Sequence, residues 1–160
     1  MSTLAIGDNA PDFELFNHDI EPFQLSDHRD APVVLFFFPG AFTSVCTDEM
    51  NTINNELSVY GVEDGATVVG ISTDSPFVLD EYRRVHDLSF PLLSDHEAKV
   101  SAAYGAKYDN DFTPMQLDRI AKRSAFVVDT EGIIQYAEVL DNAGKQPDFE
   151  AVQAMVQSLL

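Results

Sequence analysis

Residues 33–46 read VVLFFFPGAFTSVC: six consecutive apolar residues, a turn, and the one cysteine of the 160-residue chain. A continuous apolar run that ends at proline and glycine is typical of a buried strand. We expect a helix over residues 48–60, so that Cys46 lies near a helix N-terminus. Unpaired backbone N–H groups and the positive end of the helix dipole favour a thiolate over a thiol there. The sequence therefore predicts a nucleophilic sulfur where a strand passes into a helix.

The rest of the chain alternates between strand and helix patterns on either side of this stretch. Residues 66–72 form a second apolar strand pattern, and together with residues 33–38 and the helix between them they indicate a parallel βαβ unit. Ser75 as a cap and Pro76 at the first helical position predict a helix to about residue 87. Shorter patterns predict a hairpin of residues 11–16 with 23–25, a helix over 97–104, a hairpin of strands 124–128 and 133–139, and a final helix from Pro147.

The spacing Pro39-x-x-x-Thr43-x-x-Cys46 after a hydrophobic strand resembles the active-site signature of the peroxiredoxins, thiol peroxidases of the thioredoxin-like superfamily. Residues 90–95, 100–105 and 123–129 are similar to further peroxiredoxin segments in the family's order, so the resemblance covers nearly the whole chain. It implies an α/β protein of thioredoxin-like fold: a central mixed β-sheet flanked by helices, with an N-terminal β-hairpin extension, in a single domain over residues 1–160.

Reduction of a peroxide by a thiol requires a site that stabilises both an anionic sulfur and the anionic oxygen that leaves. Cys46 supplies the sulfur and becomes a sulfenic acid; the alternative is a small buried core residue. The hydroxyl of Thr43 reaches the sulfur or a peroxide oxygen, or caps the helix. Pro39 ends the strand and shields the sulfur from water. The resemblance places Arg123 beside the sulfur, where its charge favours the thiolate and holds the peroxide oxygens; otherwise it is a solvated arginine at a strand edge.

Two further elements of the site follow from the same comparison. Glu49 stands where the family carries a glutamate that hydrogen-bonds an arginine, so we expect it to support Arg123. The backbone N–H groups of Val45 and Cys46 are expected to form a cradle for the oxyanion.

A single cysteine excludes an intrachain disulfide. Where two-cysteine members of the bacterioferritin-comigratory group carry a second cysteine five positions after the first, this chain has Asn51. The chain is thus most similar to the single-cysteine AhpE-like enzymes and to bacterioferritin-comigratory members without a second cysteine. We expect an external thiol, either of low molecular weight or on a thioredoxin- or glutaredoxin-like protein, to regenerate the enzyme.

Lys and Arg number 9 against 27 Asp and Glu, which gives a formal net charge of −18. Such a field repels phosphate backbones and anionic lipids, so nucleic acid and membrane surfaces are excluded as partners. Because salt screens the self-repulsion of so many acids, we interpret the chain as halophilic, with a haloarchaeal source; the alternative is an ordinary acidic cytosolic protein. No signal peptide is visible in the first residues, and a cytoplasmic location is expected.

The four histidines have no paired spacing for a metal, and the resemblance implies neither a metal nor another cofactor. The family often dimerises, and aromatic residues near Phe42 or Tyr82 are candidates for a homodimer contact. Two other functions stay open at this point: a redox sensor in which oxidised Cys46 signals to a partner, and a thioredoxin-like binding or chaperone domain with an inert thiol.

Overall fold

The computed structural model describes residues 4–112 and 115–160, and in these residues seven strands form one mixed sheet. The spatial order of the strands is β2-β1-β5-β4-β3-β6-β7. Their bounds are β1 Glu14–Asn17, β2 Pro22–Gln24, β3 Val33–Phe37, β4 Thr67–Ser72, β5 Leu92–Ser94, β6 Ser124–Val128 and β7 Ile134–Val139.

Strand β3 pairs with β4 on one side and with β6 on the other, and these three strands position the site. It runs parallel to β4, with Phe37 opposite Ile71, and antiparallel to β6, with Phe37 opposite Ser124. The carboxyl ends of β3 and β4 therefore lie next to the amino end of β6, on the same side of the sheet along the strand direction. The residues that follow β3 and β4 and those that precede β6 are brought together there.

Four α-helices of the described chain cover the two faces of the sheet. Their bounds are α1 Ser44–Asn55, α2 Pro76–Val85, α3 Lys99–Ala103 and α4 Phe149–Leu159, and short 3-10 helices cover Leu25–Asp27, Leu57–Tyr60 and Val62–Asp64. Buried side chains of α1, α2 and α4 pack on the sheet face formed by Val34, Phe36 and Val127. The opposite face packs against α3 and the N-terminal hairpin. No helix within 4–112 or 115–160 has the length and hydropathy to cross a bilayer.

Most of the elements predicted from the sequence are confirmed. The N-terminal hairpin forms by antiparallel pairing of β1 with β2, and β6 and β7 form the expected antiparallel hairpin after residues 129–132. Ser75 caps α2 by accepting a hydrogen bond from the N–H of Val78, and Pro76 is the first helical residue. The final helix begins at Phe149 with Asp148 as its cap, rather than at Pro147.

Two features of the fold differ from the prediction. Helix α1 begins at Ser44 and ends at Asn55, so the predicted helix over residues 48–60 started four residues late and included a 3-10 turn. Cys46 thus lies inside the first turn of α1 instead of ahead of it. Strand β5 was not predicted; it has only three residues and pairs with β4 and β1.

Candidate active site

Helix α1 presents Cys46 and Glu49 side by side to the interior. The two residues are three positions apart and therefore share a helix face, which Met50 and Ile53 continue at helical spacing. All four side chains are buried, and Cys46 is only 1% exposed. Cys46 has no disulfide partner. The apolar part of the stripe fixes the helix on the sheet, and the polar part of it faces the beginning of β6.

Arg123, the residue immediately before β6, extends its side chain to the sulfur of Cys46. One terminal nitrogen, Nη1, donates to the sulfur of Cys46 at 3.3 Å and to Oε1 of Glu49 at 2.6 Å. The other terminal nitrogen donates to the carbonyl of Ala143 at 2.9 Å. The guanidinium is thereby fixed on three sides, and a permanent positive charge lies in contact with the sulfur.

Arg123 and Glu49 form a fully buried ion pair, with 1% and 0% of their side chains exposed. Burial raises the pKa of Glu49 to about 7, against the opposing effect of the Arg123 charge and hydrogen bond. Burial also works against the charge of Arg123, but Glu49 and Cys46 outweigh it, so the pKa of Arg123 is raised. Oε2 of Glu49 and Nε of Arg123 are buried, and no other residue of the described chain offers either atom a hydrogen-bond partner. Removal of both charged groups from water therefore carries a desolvation cost in free energy.

Thr43 and Pro39 both lie in the turn that leads to Cys46. Thr43 is the N-cap residue of α1 by its backbone, but its hydroxyl donates to the carbonyl of Gly40 at 2.8 Å and does not cap the helix. Within the described residues this hydroxyl makes no hydrogen bond to the sulfur, although Thr43 and Pro39 both border the cavity next to Cys46.

The first turn of α1 leaves backbone donors available beside the sulfur. The N–H of Thr47 bonds to the carbonyl of Thr43, as the first intrahelical hydrogen bond requires. For the N–H groups of Val45 and Cys46, no acceptor exists among residues 4–112 and 115–160. Two aligned donors at the positive end of the helix dipole can hold an anionic oxygen.

A cavity of about 450 Å³ opens directly over the sulfur. The first turn of α1 and Arg123 contribute to its polar lining, and one group of lining residues is apolar. That group consists of Phe112, Met115, Leu117 and Ile120. The arrangement presents a buried sulfur, positively charged hydrogen-bond donors and apolar side chains around one cavity.

Three residues of the site were missed by the sequence analysis. Asp74 borders the cavity and accepts a hydrogen bond from the N–H of Ala41 at 2.8 Å. Gln146 donates to the carbonyl of Val45 at 3.0 Å, and the carbonyl of Ala143 accepts from Arg123. For Asp74 a signal existed: it follows β4, whose carboxyl end meets that of β3, and ligand sites of parallel sheets lie at such ends.

The aromatic residues considered for a dimer contact differ in exposure. Phe42 is 51% exposed, whereas Tyr82 is fully buried, so Tyr82 was wrongly taken as a surface residue. The two rings pack edge to face with their centroids 5.0 Å apart. The hydroxyl of Tyr82 hydrogen-bonds that of Thr47 on α1 at 3.1 Å, so this ring belongs to the packing beneath the active-site turn.

Comparison with known proteins identifies the family. The model of the AhpC/TSA family matches residues 6–137. The chain is a member of that family, the peroxiredoxins. It is 32% identical to peroxiredoxin Bcp of Escherichia coli over 136 residues, which are 85% of this chain and 86% of Bcp. Peroxiredoxins reduce peroxides with thiols, so this enzyme is a thiol-dependent peroxidase, and its relatives make it Bcp-like.

Solved peroxiredoxin structures share the fold. Peroxidoxin BcpB from Mycobacterium tuberculosis superposes with a TM-score of 0.83 at 29% identity and covers 97% of both chains. PrxQ from Xylella fastidiosa gives a TM-score of 0.85 at 26% identity and covers 99% of this chain and 98% of its own. The predicted thioredoxin-like fold, a mixed sheet flanked by helices, is therefore confirmed.

No group of three or more His, Cys, Asp or Glu side chains in the described part of the chain is arranged to hold a metal ion. The donors that converge on the sulfur are a guanidinium and backbone N–H groups, which bind anions and polar oxygens instead of cations.

Proposed function

We propose that Cys46 of this peroxiredoxin is the peroxidatic residue and that Arg123, Thr43, Pro39 and the first-turn N–H groups of α1 support it. The observation that carries the proposal is the 3.3 Å hydrogen bond from Nη1 of Arg123 to the sulfur, in the lining of the cavity. A buried sulfur with a fixed cation beside it and a cavity in front of it has both the charge stabilisation and the access that a nucleophile needs.

The reaction begins with attack of the thiolate on one oxygen of the hydroperoxide. The S–O bond forms as the O–O bond breaks, the sulfur is oxidised to a sulfenic acid, and the second oxygen leaves as an alkoxide or hydroxide that takes up a proton. Arg123 and the N–H groups of Val45 and Cys46 stabilise the charge on that leaving oxygen. The hydroxyl of Thr43, whose proton goes to the carbonyl of Gly40, accepts a hydrogen bond from the O–H of the hydroperoxide, and Pro39 keeps water from the sulfur.

Glu49 supports this reaction by holding Arg123. Its 2.6 Å hydrogen bond to Nη1 fixes the nitrogen that also contacts the sulfur. A guanidinium held by a buried carboxylate keeps its orientation while charge moves from sulfur to oxygen, so no reorganisation of the donor is needed during the reaction.

Both hydrogen peroxide and organic hydroperoxides are substrates in this proposal. The polar lining of the cavity suits the O–O group common to both. The apolar side chains of Phe112, Leu117 and Ile120 suit the carbon chain of an organic hydroperoxide.

Regeneration requires an external thiol because the chain holds one cysteine. The incoming thiol condenses with the sulfenic acid, releasing water and forming a mixed disulfide, and a second thiol reduces that disulfide. The reductant is a low-molecular-weight thiol or a thioredoxin- or glutaredoxin-like protein. This cycle agrees with the single-cysteine AhpE-like and bacterioferritin-comigratory subgroup.

The cellular setting belongs to the same proposal. We infer a cytoplasmic enzyme from a halophile, of haloarchaeal type, on the basis of its −18 net charge. A homodimer is inferred from the exposure of Phe42 beside the active-site turn. Sedimentation equilibrium in high salt tests the dimer: a twofold mass is expected for the native enzyme, and a monomer at micromolar concentration contradicts it.

Stopped-flow oxidation of the reduced protein tests the mechanism. Cys46→Ser is expected to abolish peroxide consumption, and Arg123→Ala to slow oxidation by about a hundredfold because the leaving oxygen loses its charged donor. Hydrogen peroxide and cumene hydroperoxide serve as substrates, and recovery is followed with a small thiol and with thioredoxin. If the Cys46→Ser protein consumes peroxide as fast as the parent, the mechanism is wrong.

A further inference from the structure

The carboxylate of Asp74 joins the active-site turn to the end of β4. One oxygen, Oδ2, accepts a hydrogen bond from the N–H of Ala41 at 2.8 Å and a second from the hydroxyl of Ser72 at 2.7 Å. Ala41 lies in the turn between β3 and α1, and Ser72 is the last residue of β4. A single oxygen thus connects the two chain segments that border the cavity.

Several hydrogen bonds hold Asp74 to the ends of β4 and β5. Ser72 is fully buried, and its hydroxyl also accepts from the backbone N–H of Asp74 at 3.3 Å. The backbone carbonyl of Asp74 accepts from the hydroxyl of Ser94, at the end of β5, at 2.6 Å. Asp74 is therefore held by two neighbouring strands of the central sheet, which leaves its carboxylate in one place.

The turn on the other side needs such an anchor. Phe42 has a φ of 64°, in the left-handed region that side chains other than glycine rarely occupy. Such a conformation costs on the order of 1–3 kcal/mol and persists only where the surroundings enforce it. The hydrogen bond to Ala41 N–H acts on the residue immediately before Phe42, and that from the hydroxyl of Thr43 to Gly40 closes the same turn.

We propose that Asp74 is a positioning residue for peroxide reduction, an inference that rests on the proposed role of Cys46. By holding the N–H of Ala41, it fixes the turn of residues 39–43 so that Thr43 and the first N–H groups of α1 face the oxygen that leaves. Asp74 acts as a hydrogen-bond acceptor at a fixed position, and its negative charge is not what the reaction uses.

The physical basis is the sensitivity of oxyanion stabilisation to distance. Donors must lie about 2.7–3.1 Å from the oxygen on which charge develops, and misplacement by about 1 Å costs up to a hundredfold in rate. Alkylation of the same sulfur by iodoacetamide expels iodide and makes no use of donors placed for a peroxide oxygen. The two reactions together separate the position of the turn from the reactivity of the sulfur.

The experiment compares Asp74→Ala and Asp74→Asn with the native enzyme, with Asp80→Ala on the exposed side of α2 as a matched control. Second-order rate constants are measured for oxidation of the reduced protein by hydrogen peroxide and for its alkylation by iodoacetamide. In Asp74→Ala, oxidation is expected to slow by about tenfold to a hundredfold while alkylation changes less than about twofold. Asp74→Asn, whose amide oxygen can accept both hydrogen bonds, is expected to keep most of the oxidation rate.

Several results would overturn the inference. They are oxidation of Asp74→Ala at the native rate, equal losses in Asp74→Ala and Asp74→Asn, and a parallel fall of oxidation and alkylation. If Asp74→Ala does not fold, Ser72→Ala replaces it, with a smaller loss of oxidation and unchanged alkylation expected; native oxidation in that variant counts against Asp74. A native enzyme that reacts with peroxide no faster than free cysteine would instead contradict the proposed function.

Discussion

At the scale of single residues, the candidate site contains a buried ion pair between Arg123 and Glu49. Arg123 contacts the sulfur while Glu49 and the carbonyl of Ala143 hold its buried guanidinium on the other sides. Removing one partner of a buried ion pair leaves an uncompensated charge and commonly costs about 3–5 kcal/mol. Glu49 is therefore as necessary to the arginine as the arginine is to the sulfur.

The titration of Glu49 gives the stability of the enzyme a specific pH dependence. Because burial raises its pKa from 4.5 to about 7, the folded enzyme binds a proton on Glu49 more tightly than the unfolded chain does. The stability contributed by Glu49 is fully present below pH 4.5 and is lost as the pH rises through about 7. In Glu49→Gln, which cannot titrate, this fall in the free energy of unfolding is absent.

Urea unfolding of both proteins at pH 5 and pH 8, at constant salt, measures the difference. The native enzyme is expected to lose more stability than Glu49→Gln between the two pH values, and the exposed change Glu63→Gln serves as control. An equal loss of stability in the native enzyme and in Glu49→Gln between pH 5 and pH 8 would contradict the raised pKa of Glu49.

Sequence and structure agree on some residues of the site for a physical reason. Cys46 and Glu49 lie three residues apart on one helix face, but the sequence analysis placed Glu49 at the site through the family resemblance, because the predicted helix began only at residue 48. The contact of Arg123 with both depends on strand pairing, and only the family resemblance anticipated it. Asp74 and Gln146 act through contacts with backbone groups more than 30 residues away. The position of Asp74 after β4 was a signal that it lies near the site, but no local pattern encodes either contact.

At the scale of elements, the beginning of α2 fixes the junction that follows Asp74. Ser75 caps the helix, Pro76 supplies a preset φ at its first position, and Arg83 and Arg84 lie in its last turn, where the helix dipole favours positive charge. Leu79 and Tyr82 bury the inner face against the sheet. The start of this helix was predicted correctly from Ser75 and Pro76, because a cap and a proline at the first helical position are local sequence signals.

The cap of α2 should be measurable as stability. Ser75→Ala removes the acceptor for the N–H of Val78 and is expected to lower the free energy of unfolding by about 1 kcal/mol. Urea unfolding measures the loss. Ser58→Ala, in an exposed 3-10 turn, is the matched control and should change stability by less than about 0.5 kcal/mol. An equal effect of the two substitutions would contradict the role of the cap.

The sequence did not predict the elements that are very short or that are recognised only by their hydrogen bonds to neighbouring strands. Strand β5 has three residues, follows Pro91, and is recognisable only through its hydrogen bonds to β4 and β1. The predicted end of α1 was too late because residues 57–60 continue as a 3-10 turn, which stops at Gly61 with a φ of 77°. Neither feature alters the apolar periodicity from which helices and strands were predicted.

At the scale of the whole molecule, the net charge of −18 opposes the compact state. Raising the KCl concentration from about 0.1 M to about 1 M shortens the Debye length from about 10 Å to about 3 Å, which screens repulsion between exposed acids. The melting temperature is expected to rise by at least about 5 °C across this range. Calorimetry in KCl, with sucrose as a non-ionic control, measures it, and a melting temperature that falls or stays constant would contradict the halophilic interpretation.

The position of Cys46 also limits how the enzyme recovers after each reaction. A sulfur that is 1% exposed can be touched only by a slender molecule that enters through the cavity, or after the first turn of α1 unravels. A thiol reductant too bulky for the cavity would need the first turn of α1 to open before it reached the sulfur. The burial of Cys46, and not only the charges around it, therefore bears on which thiols can act as the proposed reductant.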